Sequence, residues 1–115
     1  MALFEQLEVE DLIEGTGTEV KKGGALITAH YRGYLEDGTE FDSSYGRGQP
    51  FQTVLSRKKV IAAWVEGLIG MKVGGKRKLL VPAAMGYGER GFGEKIPPHS
   101  NLIFEIELLE ALTRE

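Results

Sequence analysis

The amino-acid sequence predicts an α+β domain in which an antiparallel sheet of short strands carries one helix across it. Three observations lead there. Glycine makes up 16 of 115 residues, about twice the usual share of about 7%. The glycines fall in clusters, among them Gly15/Gly17, Gly23/Gly24, Gly46/Gly48, Gly74/Gly75 and Gly86 to Gly93, as turns between strands do. The segments between clusters alternate apolar and polar residues, the period of a half-buried strand. Only after Ser56 does the period change. There Val60, Ile61, Trp64, Val65 and Leu68 form one apolar stripe at helical spacing.

Each element follows from its own pattern. Leu7 and Val9 alternate with Glu8 and Glu10 as a first strand, ended by Gly15-Thr16-Gly17. Leu26 to Leu35 is a β-rich run that meets Glu36-Asp37-Gly38-Thr39, and Asp-Gly between two such runs marks a hairpin. The return strand starts near Glu40-Phe41-Asp42, and Pro50-Phe51 opens another extended piece. The helix is expected to be capped by Ser56, to end at Gly67 or Gly70 and to run about three turns. Lys76 to Val81 is a strand whose start, Lys76-Arg77-Lys78, is expected in solvent. In the last strand Leu102, Phe104, Ile106 and Leu108 form the core face, with Glu105 and Glu107 turned to water. Pro82 to Asn101 remains as a long glycine-rich loop, of a length that in a compact domain is functional or disordered.

Composition narrows the chemistry. Hydrophobic residues at 42% and charged residues at 27% are those of a globular domain, and residues 1–115 are expected to form a single one. The net charge of −3 leaves no basic footprint for nucleic acid. With no cysteine and only His30 and His99, thiol catalysis and zinc or iron–sulfur centres lack their ligands. No run approaches the roughly 18 apolar residues of a membrane span. Met1 to Glu10 lacks the cationic start and apolar stretch of a signal peptide. A cytoplasmic monomer without cofactor or metal is the expectation.

Two glycine motifs match by string only. Gly86-Tyr87-Gly88-Glu89-Arg90-Gly91 spells G-x-G-x-x-G, but a dinucleotide site needs a helix after it, and Gly93, Pro97 and Pro98 follow instead. Gly70 to Lys76 begins like a phosphate loop, yet Arg77 stands where the Mg²⁺-binding hydroxyl belongs. Asp42 and Glu66 give no reason to be a catalytic carboxylate pair. What remains is aromatic: Tyr31, Phe41, Phe51, Trp64, Tyr87, Phe92 and Phe104. Any one of them suits a small core. Seven large rings exceed what so small a core encloses fully, and a Tyr in a glycine-rich loop suits a cleft better than an interior. Asp42, directly after Phe41, is either a partly buried carboxylate or an ordinary turn or surface residue.

The run from Tyr31 to Ser44, the stretch Val60-Ile61-Ala62-Ala63-Trp64 with Val65-Glu66-Gly67 after it, Gly86-Tyr87-Gly88, and Ile96 to Phe104 closely resemble the FKBP-type peptidyl-prolyl cis-trans isomerases. The resemblance runs from Leu7 to Leu109. It implies a twisted antiparallel half-barrel of five or six strands wrapped around one short helix, with a pocket between them. By that resemblance Trp64 is the pocket floor, and Tyr31, Phe51 and Phe104 are walls. Asp42 sits at the rim, oriented by Arg47 and Tyr31. The Ile61 N–H and the Tyr87 hydroxyl hold substrate carbonyls. Asp42, Tyr87, Tyr31, Phe41, Trp64 and Phe104 are the implied catalytic set, and Arg47, Phe51, Val60, Ile61, Phe92 and Ile96 the implied substrate-binding set. The implied partners are proline-containing polypeptides and macrolide ligands such as rapamycin, with no nucleic acid and no membrane. The alternative is a module that binds proline segments or macrolides without turnover. Lys59, Met85, Phe92 and Lys95 depart from the family's usual residues and are expected at the rim, where they bear on macrolide affinity and on preference for the residue before proline. No flap domain is inserted, which speaks against a holdase role.

Overall fold

The computed structural model describes residues 5–112. The first four and last three residues of the expected single domain lie outside the described residues.

Six strands form one antiparallel sheet: β1 (Glu8–Ile13), β2 (Leu26–Leu35), β3 (Glu40–Ser43), β4 (Phe51–Val54), β5 (Lys76–Val81) and β6 (Leu102–Leu112). Their order is β1-β5-β6-β2-β3, and β4 also pairs with β2. β3 and β4 share one edge of β2: β4 takes Leu26 to Ala29, β3 takes Arg32 to Tyr34. The excursion between them holds a one-turn helix, α1 (Ser44–Arg47), and a second short helix, α2 (Ala62–Gly67), follows β4.

Strand period sets the core. Ile27, Ala29 and Tyr31 on β2, Leu79 and Val81 on β5, and Leu102, Phe104, Ile106 and Leu108 on β6 all point inward and are buried. They close over Ala63, Trp64 and Leu68. β6 extends beyond its expected end because it carries a bulge: Thr28 pairs Glu110 while Ala29 pairs Leu108. The spare residue resets the alternation, and Ala111 is buried.

Three expectations change. The helix is six residues long, not three turns. Ser56 does not cap it. Its side chain accepts from the Lys58 N–H, and its carbonyl accepts from the Lys59 and Val60 N–H groups in a separate turn. α2 begins after Ile61, whose side chain offers no capping bond. The apolar stripe therefore spans a turn and a helix that share one buried face. Second, α1 has no apolar period and gave no helical signal. Third, Arg77 is not solvated but 7% exposed. It is in phase with Leu79 and Val81, so strand parity turns it inward. There its guanidinium donates to the Gly67 and Ile69 carbonyls at 3.0 and 2.9 Å and to Asp11 at 2.7 Å. It satisfies the open carbonyls at the end of α2, so its burial leaves no donor stranded.

The loop from Pro82 to Asn101 is not structureless. It opens with a 3₁₀ turn, Ala83–Met85. The Gly88 N–H donates to the Ala83 carbonyl, the His99 N–H to the Gly88 carbonyl, and Phe92 and Ile96 exchange both backbone bonds. Asn101 ties its base, accepting from the Ala83 N–H and donating to Glu36. Gly91 makes the narrow return possible: it has φ +66°, and a Cβ there would lie 2.2 Å from the Ile96 carbonyl oxygen.

Candidate active site

The site is built on Trp64. α2 presents this ring to the inner face of the sheet, where it is 3% exposed. Tyr31 from β2, Phe51 from β4 and Phe104 from β6 meet it nearly edge-on, with centroids 5.2, 5.9 and 5.7 Å away. Phe41 from β3 meets Phe104 edge-on at 5.7 Å. This is the arrangement that aromatic quadrupoles favour, and the rings brace one another at fixed angles. One residue makes it possible. Gly33 pairs with Phe104 across β2 and β6, and a Cβ on it would lie 2.6 Å from the Phe41 ring and 3.0 Å from Phe104. A bulge at Phe41, between the Gly33–Asp42 and Tyr34–Glu40 pairs, swings that ring over the glycine.

The rings do not fill the space they enclose. They leave a cavity of about 110 Å³ lined by Tyr31, Phe41, Asp42, Phe51, Lys59, Val60, Ile61, Trp64, Tyr87 and Phe104. It adjoins a larger groove of about 390 Å³ lined by Phe41, Asp42, Tyr87, Phe92, Gly93, Glu94, Lys95 and Ile96. Phe41, Asp42 and Tyr87 line both.

Three polar side chains are joined beside the cavity. Asp42 accepts from the Tyr31 hydroxyl and from Arg47, and Arg47 also donates to the Tyr31 oxygen at 3.1 Å. The three side chains close a ring of hydrogen bonds. Burial alone would raise the Asp42 carboxyl, but the bonds from Tyr31 and Arg47 outweigh it and hold it below the usual carboxylate range. Burial, and then the bond to Asp42, raise the Tyr31 phenol. Burial, and then the charge of Asp42, raise Tyr87. Among the donors at the cavity without a protein partner in the described residues are the Tyr87 hydroxyl and the Ile61 N–H at the start of α2. Asp42 therefore stays ionised and Tyr87 stays a neutral donor at neutral pH. Among the described residues no group of three or more His, Cys, Asp or Glu side chains is placed to hold a metal ion.

A family model described as FKBP-type peptidyl-prolyl cis-trans isomerase matches residues 17–109. The chain belongs to this family. It is 58% identical to the FK506-binding protein of Neisseria meningitidis serogroup A over 104 residues, 90% of this chain and 94% of that one. It is 48% identical to the human peptidyl-prolyl cis-trans isomerase FKBP2 over 105 residues, 91% of this chain and 73% of that one. The crystal structure of AtFKBP13 superposes with a TM-score of 0.83 at 42% identity, covering 92% of this chain and 93% of that one. The six-stranded antiparallel sheet around a short helix is the FKBP fold, and the chain is an isomerase of X–Pro peptide bonds.

Within this FKBP domain the residues expected at the site divide into three groups. Tyr31, Phe41, Asp42, Phe51, Val60, Ile61, Trp64, Tyr87 and Phe104 line the inner cavity. Ile96 and Phe92 line the groove: Ile96 is buried, while Phe92 is 65% exposed and stacks on Tyr87 at 5.0 Å. Arg47 touches neither hollow and acts on Asp42. Of the family departures, Lys59 lines the cavity and Lys95 the groove. Met85 instead packs against the core, because the 3₁₀ turn folds it inward. Sequence reasoning missed Gly33 and Ser44. A glycine inside a strand signals close approach and marked the first. No pattern marked the second.

Proposed function

We propose that the inner cavity accepts the prolyl ring of a polypeptide and speeds rotation about the bond preceding it. One observation carries this reading: the edge-on aromatic set on Trp64 leaves a ring-walled hollow whose lining also carries the Asp42 carboxylate, Lys59 and the Tyr87 hydroxyl. The barrier to rotation, about 18–20 kcal/mol, is mostly lost amide conjugation. A planar amide is dipolar and well solvated by water, and a twisted one less so. Transfer from water into an apolar hollow therefore penalises the planar form more and lowers the barrier. The Ile61 N–H and the Tyr87 hydroxyl hold the flanking carbonyls, and Asp42 keeps a fixed charge at the mouth. A rate gain of about 10⁴ needs only about 5.5 kcal/mol, within reach of shape, desolvation and two hydrogen bonds.

The substrates in this reading are proline-containing segments of unfolded or flexible polypeptides, with the residue before proline entering the groove beside Phe92 and Ile96. Relatives named as FK506-binding proteins support macrolides as competing occupants of the same cavity. Residues 1–115 act as one domain, as a monomer in the cytoplasm. No helix among the described residues is long and apolar enough to cross a membrane. A protease-free assay on a short X–Pro peptide tests the catalytic reading, with acceleration at micromolar protein as the expected result. Quenching of Trp64 fluorescence by the peptide without acceleration would establish the non-catalytic binding module instead. Sedimentation and cell fractionation test the assembly state and compartment.

A further inference from the structure

The one-turn helix α1 is fastened at the edge of β2 and on the outer face of the sheet. At the edge of β2 Ser44, fully buried, accepts from the Tyr31 N–H at 2.7 Å, lies 3.3 Å from the Tyr31 carbonyl oxygen, and sits 2.8 Å from His30 Nδ1. It grips both backbone groups of a site residue. On the outer side Tyr45 stacks flat on His30, with centroids 4.4 Å apart and planes 15° apart. Arg32 covers it at 5.0 Å, and its hydroxyl donates to Glu107 of β6 at 2.7 Å. Between these anchors the helix closes with Gly48 as its left-handed cap and projects Arg47 back to Asp42 and Tyr31.

We propose that Ser44 and Tyr45 are positioning residues of the isomerase: they clamp α1 across the sheet so that Arg47 meets Asp42 at the cavity rim. A four-residue helix cannot hold its own place, since helices this short do not persist without tertiary packing. Arg47 is about half exposed, so an exposed ion pair alone would restrain it weakly. What restrains it is the backbone on which it stands, and that backbone is set by Tyr45 on Glu107 and His30 and by Ser44 on Tyr31. The opposite face of the sheet thereby enters the geometry of the site.

This inference rests on the reading that Asp42 and Arg47 act at the rim. Its test is a double-mutant cycle of Tyr45→Ala and Arg47→Ala, read by kcat/KM on an X–Pro peptide and by carbon-13 NMR titration of the Asp42 carboxyl. Tyr45→Ala is expected to lower kcat/KM by about twofold to tenfold, the span of a lost hydrogen bond. It should also move the Asp42 titration upward, toward an ordinary carboxylate. In the Arg47→Ala background it should add little. Tyr45→Phe, which keeps the stack and loses only the Glu107 bond, should fall between. Glu107→Gln should act in the same direction more weakly, and it supplies the test should Tyr45→Ala fail to fold. Additive losses, or an Asp42 titration unmoved in every Tyr45 and Glu107 variant, overturn the clamp and leave the rim reading intact. An Arg47→Ala protein as fast as its parent overturns both.

Discussion

The two halves of the site are held by different forces. The sheet-and-helix half, made of Tyr31, Phe41, Trp64 and Phe104, lies in the hydrophobic core, and each ring is at most 9% exposed. The loop half, made of Tyr87, Phe92 and the chain to Ile96, is held by backbone hydrogen bonds and left-handed glycines, with Tyr87 and Phe92 outside the buried set. In the first half the residues that shape the cavity also stabilise the protein, so function and folding share the same contacts. In the second the overlap is confined to Ile96, which is buried in the core, and Tyr87, which packs against it. In the proposed reading the prolyl ring enters where the wall is core, whereas Phe92, 65% exposed, can change without loss of the core.

Substitutions should separate the halves. Phe104→Ala removes a ring that contacts Trp64, Tyr31 and Phe41. It is expected to lower stability by about 3–5 kcal/mol and to abolish isomerase activity, checked by urea unfolding and the peptide assay. Gly33→Ala forces a methyl group against Phe41 and Phe104. Overpacking of this kind destabilises by about 1–3 kcal/mol, and the displaced wall should lower kcat/KM together with the unfolding midpoint. If Gly33→Ala instead leaves activity intact, the edge-on contact of Phe41 with Phe104 is not needed for the fit. Gly91→Ala is the counterpart in the loop. Its methyl group would collide with the Ile96 carbonyl at a positive φ, so the loop must open. Catalysis should suffer, and the unfolding free energy should fall by about 1–2 kcal/mol, the cost of a side chain in the left-handed region, short of the Phe104→Ala loss.

Alkaline pH acts on both halves through their phenols. Burial and the bond to Glu107 push Tyr45 up to about 12 from its ordinary 10.0. The folded protein then holds that proton where the unfolded chain releases it. The stabilisation is fully present below pH 10 and fades as pH climbs from 10 toward 12. Tyr31 and Tyr87 shift in the same direction and add to the slope. Unfolding midpoints measured at intervals above pH 9 should fall in the parent and fall less steeply in Tyr45→Phe. At the acid end Asp42 has the opposite sign, because its depressed carboxyl contributes stability that is lost as pH falls through its folded value.

Most of the fold was legible because strand parity and turn glycines are local signals. β2 and β5 were expected at their observed limits, and the core face of β6 follows from simple alternation. What failed was set by tertiary context. Arg77 looked like surface because three cations stood together, yet its parity with Leu79 decided its fate. The apolar stripe from Val60 to Leu68 merged a turn and a helix, since both bury the same side and periodicity does not see hydrogen bonds. At the site, the aromatic set and Asp42 were visible as residue types, but their convergence came only through resemblance to a family. Ser44 was invisible, because a serine after a strand looks the same in solvent or buried between two backbone groups.

The smallest effect should come from Tyr87→Phe. The ring stays, stacked on Phe92, and the loop's backbone bonds do not involve the hydroxyl. If the proposed role of that hydroxyl holds, removing it takes away only a donor to substrate, so the unfolding midpoint should be unchanged and kcat/KM should fall about twofold to tenfold, the span of one hydrogen bond. The proton on that oxygen is secure at neutral pH, since burial and then the charge of Asp42 hold the phenol above its ordinary value. The ratio of parent to variant rates should therefore be flat from pH 6 to about pH 9, and shrink only when the parent's phenol ionises. A variant that unfolds more easily would make the hydroxyl a strut of the loop, and the two halves of the site would then be held alike.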